Sequence, residues 1–80
     1  VGAQFPEAAR LAGIRDGTAT LECLIRKDGT VSMIQVTDSS GQGFDENARK
    51  ALEQWRFRPG TKDGQPVNVR LSVLFKFHLT

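Results

Sequence analysis

The chain has 80 residues, of which 39% are apolar, 25% charged and 8% aromatic, with 11 basic side chains against 9 acidic ones. That profile fits one small soluble domain with a thin stability margin, since a chain this short buries only roughly 60% of its unfolded surface. The basic residues are scattered among the acids and form no concentrated stripe for nucleic acid, and the longest apolar run falls far short of the about 20 residues of a helical membrane crossing.

Val1 to Gln4 has neither the basic start nor the apolar stretch of a signal peptide. The chain therefore reads as an excised domain, with any anchor or export signal expected upstream. Phe5 to Gly13 reads as a short helix. Pro6 suits the first helical position, where its missing N–H is not needed. Glu7 suits the positive end of the helix, and Gly13 a left-handed stop. Ala8, Leu11 and Ala12 fall on its one apolar face.

Thr18 to Lys27 alternates Ala19, Leu21, Cys23 and Ile25 with mostly polar residues, the pattern of a half-buried strand. Asp28-Gly29 is a hairpin turn signal. A second strand runs from Thr30 to Thr37. Its apolar phase jumps from Val31 to Ile34 and Val36, which places a bulge near Met33. Ser39 to Gly43 is a loop by composition.

Phe44 to Trp55 is the main helix. Phe44, Ala48, Ala51, Leu52 and Trp55 make one amphipathic stripe, Asp45 and Glu46 favour its start, and Pro59 requires it to end beforehand. Thr61 to Pro66 is a turn-rich connection. The longest strand follows, about Val67 to Leu79, with Val67, Val69, Leu71, Val73, Phe75, Phe77 and Leu79 on one face and mostly polar residues on the other.

The order helix, strand, strand, helix, strand predicts an α+β domain. Two helices should cover one face of a three-stranded antiparallel sheet in the order 2-1-3, with a right-handed crossover. In that order the last strand is an edge with unpaired N–H and C=O groups. Such an edge is either guarded by residues such as Arg70, Lys76 and His78 or used to capture an extended peptide. It also invites self-pairing, so a homodimer through the strand is expected.

Little else points to chemistry. Cys23 stands alone on an apolar strand face and reads as a buried, inert thiol. One Cys and one His do not make a zinc site. Asp28 and Asp63 are explained by Asp-Gly turns, and Asp45 and Glu46 by a helix start; an EF-hand spacing is absent. Paired catalytic carboxylates, a nucleophile elbow and a phosphate loop are absent too. Trp55 continues a core stripe and does not suggest a ligand cage. We therefore expect no enzyme, cofactor or metal.

One ordered set of motifs resembles a known family. Phe5-Pro6-x-x-Ala9, Gly17, Asp28-Gly29-x-Val31, Ser39-Ser40-Gly41, Asp45, Trp55-Arg56-Phe57-x-Pro59, Gly64-x-Pro66-Val67 and Val73-x-Phe75-x-Phe77 together resemble the TonB C-terminal domain, from about Phe5 to Phe77. Phe5 stands where Tyr is more usual, and Gly13 to Gly17 is one residue longer than the common spacing. The resemblance implies two helices on a three-stranded sheet. It also implies the periplasmic end of an inner-membrane protein of Gram-negative bacteria, with an anchor helix and Pro-rich spacer upstream.

Such proteins carry energy from proton-driven inner-membrane motor proteins to outer-membrane transporters of siderophores, haem, vitamin B12 or similar nutrients. They take the transporter's TonB box as an added strand and can touch its plug. On that analogy the guest is expected along Val67, Asn68, Val69, Arg70, Leu71, Ser72, Val73, Leu74 and Phe75, with Gln4, Phe5 and Pro6 lining the approach. The alternative is a structural or sensory periplasmic module of the same fold, such as a TolA-like envelope protein, that energises no transport.

Overall fold

In a computed structural model, which describes residues 3–79, strand β1 (Asp16–Ile25) is the centre of the sheet. It pairs antiparallel with β2 (Val31–Ser39) on one side and with the last strand, β5 (Val69–His78), on the other. The sheet order β2-β1-β5 is the expected 2-1-3. Helix α1 (Glu7–Leu11) and helix α2 (Phe44–Glu53) pack on the same face. No helix among the described residues is long and apolar enough to cross a membrane. Val1 and Gly2, half of the opening segment, lie outside the described residues, as does Thr80.

The core follows from strand alternation. Ala19, Leu21, Cys23 and Ile25 of β1 point at the helices, as do Phe75 and Phe77 of β5, and they meet Phe44, Ala48, Ala51 and Leu52 of α2. Phe44, Leu21 and Leu52 are fully enclosed, each worth about 1.5–3 kcal/mol of apolar burial. The Phe44 ring lies 5.0 Å from Phe77 and 5.3 Å, edge-on, from Phe5. Gly17 makes room for it: a Cβ there would come within 2.3 Å of the ring. The Trp55 ring lies tilted at 5.1 Å from Phe75 and 5.9 Å from Phe57, half-buried and packed against the core as its stripe predicts.

Several expectations are corrected. α1 is one turn long, and Pro6 (φ −66°, ψ 135°) precedes it in extended conformation instead of opening it. Its buried residue is Ala9. Ala8, Leu11 and Ala12 face outward, with Leu11 73% exposed. A single turn can aim only one position at the sheet, and here the flanking Phe5 and Ile14 supply the remaining contact. α2 ends at Glu53, short of Trp55, because Arg56 forms a bridge with Thr30 and the Phe57 N–H donates to Gly29 O at 2.9 Å. Gly29, at φ 85°, is required there: a Cβ would sit 2.2 Å from Phe57 O.

The bulge near Met33 is present, with Met33 at φ 52° and the β1–β2 register shifting between Glu22 and Leu24. A second shift falls between Thr20 and Leu21. The turn-rich connection is itself a hairpin, β3 (Gly60–Lys62) with β4 (Gln65–Val67), closed by Asp63 (φ 52°) and Gly64 (φ 79°). The last strand therefore begins at Val69, not Val67. Val67 pairs with Gly60, and the Asn68 side chain takes the Lys27 N–H at 3.0 Å.

Candidate functional site

The direction of every main-chain group on β5 follows from one bond at its end. The Leu79 N–H donates to Arg15 O at 2.8 Å, so Arg15 and Leu79 form a hydrogen-bonded antiparallel pair. The β1–β5 register is unbroken from Asp16↔His78 to Ile25↔Val69. Bonded and non-bonded pairs alternate along such a ladder. Val69, Leu71, Val73, Phe75 and Phe77 thus turn N–H and C=O toward β1. Arg70, Ser72, Leu74, Lys76 and His78 turn theirs away from it.

The other side of β1 gives the same parity. Ser40 N–H donates to Thr18 O and Arg26 N–H to Thr30 O, each at 2.9 Å, so the even residues of β1 serve β2 and the odd ones β5.

β5 is a sheet edge, and among the described residues no strand covers its outward groups. The same five residues send their side chains to the helix-free face, where all are exposed, while Leu71, Val73, Phe75 and Phe77 face the helices. The other edge, β2, carries both register shifts and the positive-φ Met33, which interrupt its row of polar groups. The long regular edge is therefore β5.

The sequence-derived residues divide accordingly. Arg70, Ser72 and Leu74 lie on the free edge. Val69, Leu71, Val73 and Phe75 pair β5 with β1, and Leu71, Val73 and Phe75 also pack on the core. Val67 and Asn68 belong to the neighbouring hairpin and its junction. Gln4, Phe5 and Pro6 are held at the start of α2: the Asn47 side-chain amide donates to Gln4 O at 2.8 Å, Phe5 packs on Phe44, and Pro6 is buried against Gly43. They reach β5 through Phe44 on Phe77. Lys76 and His78, which the sequence suggests only as guards of the edge, complete it; the alternation running on past Phe75 is the signal that they share its parity.

The ionisable groups nearby are structural. Burial pushes the Cys23 thiol up, away from the reactive thiolate. His78 Nδ1 lies 2.6 Å from Asp16 Oδ1 across the β1–β5 pair, both side chains exposed. At the β1–β2 turn the Thr30 hydroxyl (2.6 Å) and N–H (3.0 Å) donate to Asp28 Oδ1 and hold that carboxyl below its ordinary range. The arrangement offers main-chain donors and acceptors in one regular row along the edge.

Comparison with known proteins places the fold. The model of the family described as Gram-negative bacterial TonB protein C-terminal matches residues 1–79. Protein TonB of Vibrio cholerae serotype O1 is 35% identical over 77 residues, which cover 95% of this chain and 31% of that protein. Protein TonB of Pseudomonas aeruginosa is 32% identical over 76 residues, covering 94% and 22%. The chain thus spans about a third or less of the length of these curated relatives. Among solved structures, the Pseudomonas aeruginosa TonB C-terminal domain, determined by solution NMR, is similar with a TM-score of 0.80 and 30% identity over 99% of this chain and 80% of that one. The TonB2 protein of Vibrio anguillarum is similar with a TM-score of 0.72 and 27% identity, over 100% and 76%.

Proposed function

We propose that this chain, which belongs to the Gram-negative bacterial TonB protein C-terminal family, is the binding module of a TonB-like energy transducer. In this reading it works in the periplasm, as the end of a longer protein anchored in the inner membrane. It captures the TonB box of an outer-membrane transporter as a fourth strand along β5. Inner-membrane motor proteins, engaged by the rest of the protein, then act on the transporter through that strand.

The observation that carries the reading is the β5 edge. Arg70, Ser72, Leu74, Lys76 and His78 present N–H and C=O outward in regular spacing. Each net hydrogen bond contributes about 0.5–1.5 kcal/mol, and ordering a flexible peptide opposes the sum. Affinity is therefore modest, while a load along the strand is shared by several bonds at once. Selectivity falls to alternate guest side chains.

The test is an amide-shift titration of the chain with TonB-box peptides from candidate transporters. The N–H signals of Arg70, Ser72, Leu74, Lys76 and His78 are expected to move most. Signals that move elsewhere while these five stay fixed would refute strand capture at β5.

A further inference from the structure

Backbone pairing locates a guest strand but does not choose it; the choice lies in the side chains on the helix-free face of the sheet. There Arg70, Ser72, Leu74, Lys76 and His78 of β5 stand opposite Leu24, Glu22, Thr20, Thr18 and Asp16 of β1. The three basic side chains differ in what already faces them. His78 has Asp16 at 2.6 Å. Arg70 shares a shallow depression with Glu22, Leu71 and Ser72. Lys76 faces neutral Thr18 and makes no ion pair among the described residues. Two residues before it, Leu74 is 54% exposed beside Thr20, an apolar side chain on a polar face.

A strand added at the free edge brings alternate side chains to about 4.5–5.5 Å from these positions. Resting on the strand-capture reading, we propose that Lys76 and Leu74 select the guest. It is an extended peptide carrying an acidic side chain beside Lys76 and, two residues along, an apolar side chain beside Leu74.

Charge argues for this occupant over a second copy of the chain. Two β5 edges paired antiparallel about Val73 set Arg70 of each against Lys76 of the other, cation on cation. An edge lysine ordinarily deters pairing, and an acidic guest turns that deterrent into attraction. The apolar guest residue in turn covers Leu74, which the fold leaves in water.

The experiment titrates the chain and its Lys76→Glu variant with nine-residue synthetic peptides, followed by amide shifts. One peptide carries Glu and Val two residues apart, in each chain order. A second replaces that Glu by Lys. The native chain is expected to bind the Glu peptide about three- to ten-fold more tightly than the Lys peptide, with the ratio shrinking in strong salt. K76E, an exposed change, is expected to invert the order. A Leu74→Ser variant is expected to weaken both peptides while keeping their ratio. If both peptides move the five outward amides with equal affinity, or K76E keeps the native ranking, the selection proposal is overturned while strand capture stands. If neither peptide moves those amides, strand capture fails and this proposal falls with it.

Discussion

The Leu79 N–H donates to the Arg15 carbonyl at 2.8 Å, and this bond fixes the parity of the whole β1–β5 ladder. Because neighbouring residues send their polar groups to opposite sides, a proline scan separates folding from binding. Ser72→Pro removes an outward N–H. Pro is tolerated on an edge strand where its N–H side faces solvent, so the variant should fold with a small loss of stability and lose most TonB-box binding. Leu71→Pro instead removes the N–H donated to Cys23 O and leaves a buried acceptor, at about 1–3 kcal/mol. Urea denaturation of both variants, with a peptide titration beside it, checks the pair. Equal binding by two folded variants would contradict capture through this edge.

The aromatic cluster sets the second expectation. Gly17 faces Phe44 so closely that a Cβ would lie 2.3 Å from the ring, which is itself enclosed by Phe5 and Phe77. Gly17→Ala should destabilise by about 1–3 kcal/mol through overpacking, and Phe44→Ala by about 3–5 kcal/mol through the cavity left behind. In the double variant Gly17→Ala with Phe44→Ala, the smaller side chain relieves the clash, so the combined loss should be less than the sum of the two single losses. Thermal or urea unfolding of the three variants measures that coupling.

These contacts show what sequence reading could and could not reach. The period-2 alternation of Leu71, Val73, Phe75 and Phe77 and the stripe from Phe44 to Leu52 give the buried faces and the core, because burial decides them, while the hairpin and helical crossover give the strand order. The bulge at Met33 was legible as a phase jump from Val31 to Ile34. The β3–β4 hairpin was hidden: its strands, Gly60–Lys62 and Gln65–Val67, are too short to alternate, so only the Asp63-Gly64 turn stood out. Which β5 amides point outward was also illegible. Side-chain alternation fixes the face of a strand, but the side of each N–H depends on register with β1. Asn68 is the sharpest case, since only the fold brings its side chain to Lys27.

Asp28 gives a pH expectation. The Thr30 hydroxyl, then its N–H, hold the carboxyl ionised and lower its pKa in the folded chain. A lowered folded value means that the contribution is complete above the unfolded aspartate range, about 3.9. It is lost as pH falls through the folded value. Urea midpoints should therefore decline on acidification below about pH 4. Asp28→Asn should flatten part of that decline, since an amide keeps an acceptor for Thr30 without titrating. An identical acid profile in the variant would show that the Thr30 contacts place no energetic weight on the turn.

Self-association is the remaining consequence of an uncovered edge. A second chain can pair with β5 through the same outward groups, but Arg70 and Lys76 bring like charge to that contact. The dimer should thus be weak, growing with concentration and with salt, because screening relaxes the repulsion within about 10 Å at 0.1 M. A captured peptide uses the same N–H and C=O groups, so it should dissociate the dimer in proportion to its occupancy. Sedimentation velocity over a range of chain concentrations, with and without TonB-box peptide, reads both effects. A strict monomer at millimolar concentration would remove self-pairing from the picture. A dimer that persists under saturating peptide would locate its contact elsewhere than β5.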